Sequence, residues 1–537
     1  MGRALSDPAS WSRSRFRRLM IVGLPGAVAA LILYWPALQL PLLYDDLLHI
    51  RITAELNLLT VWLPTESFGF YRPLTFFPLL IIDKLFGHYP AALLHGLNVV
   101  QHALNAALVA WLSWRLWRRA GWAIASGLLL ALFPFAYQAV AVYGHNVHPS
   151  VTGLLLLGLH GYLSAIRRTG SAAGTWLTTG LFFLLALLSH ESAILFGPLA
   201  ALVDWNETGR LPGRSWRAWR RPWLLFTLLG GVYLVGYQFL PLTRAPQAEF
   251  EAGALSLKGL YVLQTAAYPV AWLVGRVPGL SGASAALISF YVTVALTALA
   301  LREARRRLGL LLGWTWWALA AALVAVPLSA GYLLHGPRLL YLSGAGLALL
   351  WPQLLTPPPG WRRAGPYLAV VAVVGLLLAN WIFVRDRLEA YQRLTAPVDL
   401  VERIMADRPA DEGIVLVNLP SWLAPAETVY PVGVEFVSML GGYLFAEELI
   451  GFNLGDDHPV RVLSVPDRLQ SWDYSYGIHE QGPGGPLDAD WASAGSHVFL
   501  TDYGPNGPVS TYRGRLLPAG SASPVAAFGP YALLRAR

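Results

Sequence analysis

Cysteine is absent from the 537 residues, which excludes disulfides, thiol nucleophiles and cysteine metal sites. Lysine is almost absent too: only Lys84 and Lys258 occur, and arginine carries the rest of the basic charge. That bias is read as coding preference, without functional weight. Charge of either sign is scarce, at 13% of residues against about 25% in a soluble domain. A large soluble enzyme is therefore excluded. No Walker loop, nucleophile elbow or dinucleotide fingerprint stands in a fitting context, so ATP-driven and serine-hydrolase chemistry lacks support. No repeat of 20–50 residues is present.

What is abundant is apolar sequence, at 55%, with a mean hydropathy of +0.48. A polytopic α-helical membrane protein follows. The net charge is +8, but the arginines cluster in short loops between apolar runs. That is the pattern of cytoplasmic loops and argues against a nucleic-acid partner.

Read in order, residues 1–18 form a basic cytoplasmic N-terminus. The apolar run after them is long and lacks a small-residue cleavage site, so an uncleaved first span over 19–40 is expected. The first extracytoplasmic loop, 41–89, ends in an apolar stretch from Arg72 to Phe86, read as a helix lying at the interface. Further spans are expected at 90–116, 122–142, 150–166, 175–200 split at Ser189-His190-Glu191, 223–240, 283–301, 308–334, 339–355 and 367–384. That makes about eleven helices in a membrane domain of residues 19–384. With the N-terminus inside, the arginine clusters at 115–119, 167–168, 210–221, 302–307 and 362–363 all fall on the cytoplasmic side. A split at Ser189 is what keeps the 210–221 cluster inside. After Arg385, charge and short strand-like runs return, as at 414–417, 460–465 and 498–501. Residues 385–537 are read as an extracytoplasmic soluble α/β domain. The expected setting is the plasma (inner) membrane, crossed many times.

The charges that remain on the outer side are the candidates for chemistry. Asp45 and Asp46 stand where the first span ends, and carboxylates near hydrocarbon are costly. One of them can serve as a general base for a hydroxyl; the alternative is that one caps the helix that follows. Arg72, after Tyr71, offers a planar fork for a phosphate, or an interfacial anchor. Arg338, just after His335, presents the same pair of options. His95, Asn98, His102 and Asn105 share one face of the second span, which turns toward protein or a wet cavity. His102 and Asn105 suit interhelical hydrogen bonding, whereas His95 lies nearer the outer end. His145, Asn146, His148, His190 and Glu191 gather on the same side as the aspartates. They fit no standard zinc spacing, and hydrogen bonding to substrate or loop is the better assignment.

These residues in this order resemble the GT-C class of integral-membrane glycosyltransferases. The acidic pair after span one, Tyr71-Arg72-Pro73-Leu74, the His95–His102 stripe, the Ser-His-Glu-Ser break and Pro337-Arg338-Leu339-Leu340-Tyr341-Leu342 are similar to the protein O-mannosyltransferase and aminoarabinose transferase group, family 39 and its bacterial cousins. The resemblance covers about residues 19–384. It implies a sugar donor on polyprenyl phosphate, a hydroxyl-bearing acceptor, and Asp45, or Asp46, as catalytic base. It implies phosphate binding by Arg72 and Arg338, and no metal or other cofactor. Tyr71, His95, Asn98, His145, Asn146, His148, His190, Glu191 and His335 would line the cavity. The sequence departs from the group by His190, where lysine is usual, and by an Asp at the second acidic position. Two other readings use the same cavity without a base: a transporter or flippase for lipid-linked envelope precursors, and a scaffold without activity.

Overall fold

The computed structural model describes residues 8–64, 69–168, 171–209, 221–242, 250–357 and 364–406. Beyond these it describes the shorter segments 414–417, 421–425, 428–440, 446–454, 460–463, 474–477, 497–501, 522–528 and 531–536, with Leu419.

The chain opens with α1 (Pro8–Tyr34), then the short α2 (Asp45–Ala54) and α3 (Pro73–Phe86). The long α4 (Ala91–Trp117) returns along α1, with α5 (Ala120–Ala131) packed on both. Gly26 and Gly127 let α1 and α5 touch: a Cβ on Gly26 would stand 2.8 Å from the Gly127 carbonyl carbon. Small residues are how helices approach closely where lipid offers no hydrophobic drive. The chain then bends by 40° at Phe133-Pro134 into α6 (Tyr137–Ala141). Pro134 lacks an N–H and keeps Phe133 extended, which breaks the helix there.

Next come α7 (Val147–Ile166), α8 (Ala173–Ser189), α9 (Phe196–Thr208) and α10 (Pro222–Tyr237). The expected break at Ser189 is present: His190 is extended at φ −165° and ψ 146°, and α8 stops before it. The rest of the helical part is α11 (Leu255–Ala266), α12 (Tyr268–Val274), α13 (Gly282–Leu301), α14 (Arg307–Ala325), α15 (Ala330–His335) and α16 (Tyr341–Leu354). Last comes α17 (Gly365–Met405), and the later α18 (Ala446–Leu454) lies apart in the chain.

Among the described residues, five helices are long and apolar enough to cross a membrane, or six if the bent α5–α6 pair is one span. Two shorter apolar helices are α8 and α10. The sequence pattern predicts about eleven. Length accounts for part of the gap, since α8, α10 and α16 have 17, 16 and 14 residues. Composition accounts for α4, whose inward polar stripe lowers its hydropathy. That stripe bonds helix to helix. The His102 ring lies 2.6 Å from the Tyr341 hydroxyl, and the Asn105 amide donates to the Pro149 carbonyl at 2.8 Å.

No helix ends at Arg385. α17 runs on for 41 residues, about 60 Å at 1.5 Å per residue, roughly twice a hydrocarbon core. Its first half exposes Leu368, Val371, Val374 and Leu378, whereas Leu388, Tyr391, Leu394, Val398 and Val401 of its second half are buried. That second half packs against the strands 422–425 and 437–438 and against α18. The strands beyond form two sheets. In the larger, 460–463, 414–417 and 497–501 are parallel neighbours, and 531–536 and 522–528 add antiparallel. The smaller joins 437–438, 422–425 and 474–477 antiparallel.

Candidate functional site

The chain turns abruptly just before the acidic pair. Tyr44 has φ 53° and ψ −121°, a left-handed conformation that a side chain resists. Such a residue holds about 1–3 kcal/mol of strain and persists only where its surroundings fix it. Its N–H donates to the Met439 carbonyl at 2.7 Å. Its ring meets His145 edge-on at 5.3 Å and lies 5.6 Å from the Arg338 guanidinium. α2 starts at the next residue, so both carboxylates lie in its first turn, near the positive end of the helix dipole.

The two aspartates then face different ways. Asp46 is 1% exposed, and its carboxylate accepts from the backbone N–H groups of Leu43 and Gly144. It pins the loop 143–144 to the start of α2. Burial pushes its pKa up to about 7, against those N–H donors and with help from the charge of Asp45. The Asp45 side chain is 28% exposed, and one oxygen lies 3.0 Å from Nε2 of His145. Burial raises its pKa, but the hydrogen bond and charge of His145, then Arg338 and His49, outweigh that and hold it at about 2. Gly144 makes the approach possible: a Cβ there would stand 2.4 Å from the Asp45 carbonyl carbon.

His145 is oriented from its other side. The Gln138 carbonyl can only accept, so the Nδ1 facing it at 3.0 Å carries the proton. Nε2 then meets Asp45 with its lone pair or with one further proton. Burial and Arg338 push the imidazole pKa down, while Asp45 pulls it back. Gln138 also holds Arg338, whose Nη1 donates to its Oε1 at 3.0 Å. The second Arg338 donor reaches the Tyr332 hydroxyl at 3.3 Å. Arg338 is 4% exposed, and among the described residues no carboxylate stands within ion-pairing distance of it. Burial disfavours its charge, and the nearby Tyr332, Tyr44 and Asp45 favour it, with a pKa raised overall.

Arg72 has a different setting. It grips Glu191 with two donors, at 3.2 and 2.8 Å, and lies 4.0 Å over the Phe70 ring. Glu191 also accepts from the Tyr237 hydroxyl at 2.8 Å. Burial raises the Glu191 pKa, but Arg72 and His190 pull it down to about 2. His190 stands 3.4 Å from Glu191, yet its Nδ1 accepts from the Ser192 N–H, so a lone pair faces the carboxylate there. Burial and Arg72 bring its pKa to about 3, and the contact is between a neutral ring and an anion. The His148 ring packs on that of His190 at 5.3 Å. Tyr71 hydrogen-bonds the Trp62 carbonyl through its hydroxyl.

The structure thus gathers Asp45, His145, Arg338, His148, His190, Glu191 and Arg72 at one end of the bundle. Four of the expected cavity residues serve elsewhere. His95, 0% exposed, faces the Pro41 carbonyl at 3.1 Å, and Asn98 donates to carbonyls of Ala139, Val140 and Val142. Asn146 is buried beside Tyr143, and His335 is exposed with its ring on Phe436 at 5.3 Å. Among the described residues no group of three His, Asp or Glu is arranged to hold a metal. Residues that the sequence reading missed are Gln138, Tyr332, Tyr237 and His49. Only His49 left a signal, four residues after Asp45 on the same helix.

No family model matches the chain, and no curated protein does. Four solved chains match. One is the mycobacterial arabinofuranosyltransferase AftD, with a TM-score of 0.37 and 15% identity. The match covers 96% of this chain and 40% of that one, so the chain spans about two-fifths of its length.

Proposed function

We propose that the chain is a membrane glycosyltransferase that moves a sugar from a polyprenyl-phosphate donor to a hydroxyl acceptor on the extracytoplasmic side. The observation that carries this is Arg338: a buried guanidinium that, among the described residues, no carboxylate ion-pairs, near a partly exposed Asp45–His145 pair. A buried cation without a counter-ion is costly, and a phosphate would supply the charge it lacks. An apolar, helix-rich chain suits a donor whose carrier stays in the bilayer.

In this reading Asp45 takes the proton of the acceptor hydroxyl. That oxygen attacks the anomeric carbon as the bond from carbon to phosphate oxygen breaks. The electron pair leaves with polyprenyl phosphate, whose charge Arg338 stabilises, and the anomeric centre inverts. A pKa of about 2 makes Asp45 a weak base when the site is empty. Donor phosphate beside Arg338 adds negative charge near Asp45 and raises it toward a useful value. His145 fixes the carboxylate and shares the proton taken. Arg72, already matched by Glu191, shapes the site in this reading and is secondary for the phosphate.

The test is Asp45→Asn in purified protein, assayed with a panel of labelled polyprenyl-phosphate sugars. Transfer should fall about 10²- to 10⁴-fold with expression and melting temperature retained. Undiminished transfer would remove the base. Movement of labelled lipid across vesicles without any sugar transfer would make the protein a transporter.

A further inference from the structure

Three consecutive backbone amides lead up to Asp45, and each has a separate partner. Leu43 donates to Asp46, close by in sequence. Tyr44 donates to the Met439 carbonyl, and Leu42 donates to Oδ1 of Asn453 at 2.9 Å. Nδ2 of Asn453 returns a bond to the Leu42 carbonyl at 3.1 Å, so one carboxamide pairs both polar groups of a residue 411 positions away. Nδ2 also donates to Leu449 within α18, which locks the amide's orientation.

We propose that Asn453 is a positioning residue for Asp45, and that the C-terminal region thereby completes the site rather than only sitting beside it. Asn453 fixes the peptide plane before Leu43. Met439 fixes Tyr44 in its left-handed state. Between them they set the direction in which α2 begins, and so the direction of the Asp45 carboxylate toward His145. The segment that supplies Met439 is held from the other side. The Phe436 carbonyl accepts from the Tyr137 hydroxyl at 2.9 Å, and Arg387 of α17 donates to the Glu435 carbonyl at 2.8 Å. The clamp thus runs from α17 through 435–439 to Tyr44.

The inference rests on Asp45 as the base, and its test separates the two. Asn453→Ala is compared with wild type and with Glu448→Gln. Glu448 pairs with the exposed Arg51 at 3.5 Å from a half-buried position, so its neutralisation to an amide of the same shape should do little. In Asn453→Ala the amides of Leu42 and Tyr44 should exchange hydrogen about tenfold faster or more. The kcat should fall about 10- to 100-fold, as for a misaimed reacting group. Donor KM and binding of polyprenyl phosphate alone should stay within about twofold, because Arg338 is untouched. Asn453→Asp, which keeps the acceptor for Leu42, should recover part of the exchange protection. A lowered melting temperature with unchanged kcat and unchanged exchange at 42–46 would overturn the proposal. If wild type transfers no sugar, the functional reading falls, and exchange at Leu42 and Tyr44 still decides whether Asn453 clamps this turn.

Discussion

Arg72 and Arg338 stand at the same end of the bundle, both largely buried, in opposite electrostatic states. Arg72 is matched, with Glu191 on two of its donors and an aromatic ring against its face. Arg338 has an amide oxygen and a phenol, which orient a guanidinium without cancelling its charge. The aspartates repeat the contrast. Asp46 spends its oxygens on backbone N–H groups, and Asp45 is left partly open beside a histidine. A matched charge is finished structure. An unmatched one leaves free energy to be gained when a ligand of the right sign arrives.

Exchange of the arginines tests that difference most strongly. Arg338→Gln should weaken binding of polyprenyl phosphate about 10- to 100-fold, the loss of one to two charge-assisted hydrogen bonds. It should leave the melting temperature near wild type, because it removes a buried charge that, among the described residues, no carboxylate ion-pairs. Arg72→Gln should do the reverse. Binding should change little, and stability should fall by about 3 kcal/mol, because Glu191 is then an uncompensated charge. The pair of exposures, 12% and 20%, is low enough for that penalty to be felt. Equal losses of binding in both variants would erase the distinction. Arg72→Met with Glu191→Met should recover most of the stability.

Gly144→Ala acts on the other contrast. The new methyl must displace Asp45 or the loop that carries His145, and overpacking of this kind costs about 1–3 kcal/mol. The Asp46 bond to the Gly144 N–H lies in the same place, so both carboxylates feel the change. Activity should drop more than stability explains, read as kcat falling while donor binding holds. A variant with wild-type kcat would show that the turn tolerates a Cβ.

How much of this was legible in the sequence follows the range of each interaction. Helix ends marked by arginine or proline were readable: the second span, expected at 90–116, is α4 at Ala91–Trp117. The kink before His190 was readable because a polar triplet interrupts an apolar run. Charges that apolar sequence makes conspicuous, Asp45, His145 and Arg338, are the ones found together. What could not be read is which charge meets which. Glu191 lies 119 positions from Arg72 and Asn453 lies 411 from Leu42, distances at which no periodicity speaks. Gln138 sits in an apolar run and looks like filler, although its backbone and side chain join His145 to Arg338. Nor does composition show that α17 passes Arg385 unbroken, since a helix that leaves a membrane changes its surface and keeps its hydrogen bonds.

The smallest expected effect concerns pH. The folded pKa of Asp46, about 7, lies above its ordinary value of 3.8, so the folded protein keeps a proton that the unfolded chain has lost. The contribution is then fully present below about pH 3.8 and is lost as pH rises through about 7. Between about pH 6 and 8 that is a fall of about 1 kcal/mol in unfolding free energy, levelling off above. Asp45 runs the other way: its contribution is present above about 3.8 and lost as pH falls toward about 2. The two windows do not overlap near neutrality, so one variant isolates Asp46. Asp46→Asn should flatten the melting-temperature profile between pH 6 and 8. It should also lower the whole profile, because one of the N–H groups of Leu43 and Gly144 then faces an amide donor in place of an acceptor. A slope that survives the substitution would move the titration to another group and leave Asp46 ionised at neutral pH, with both aspartates charged side by side at the start of α2.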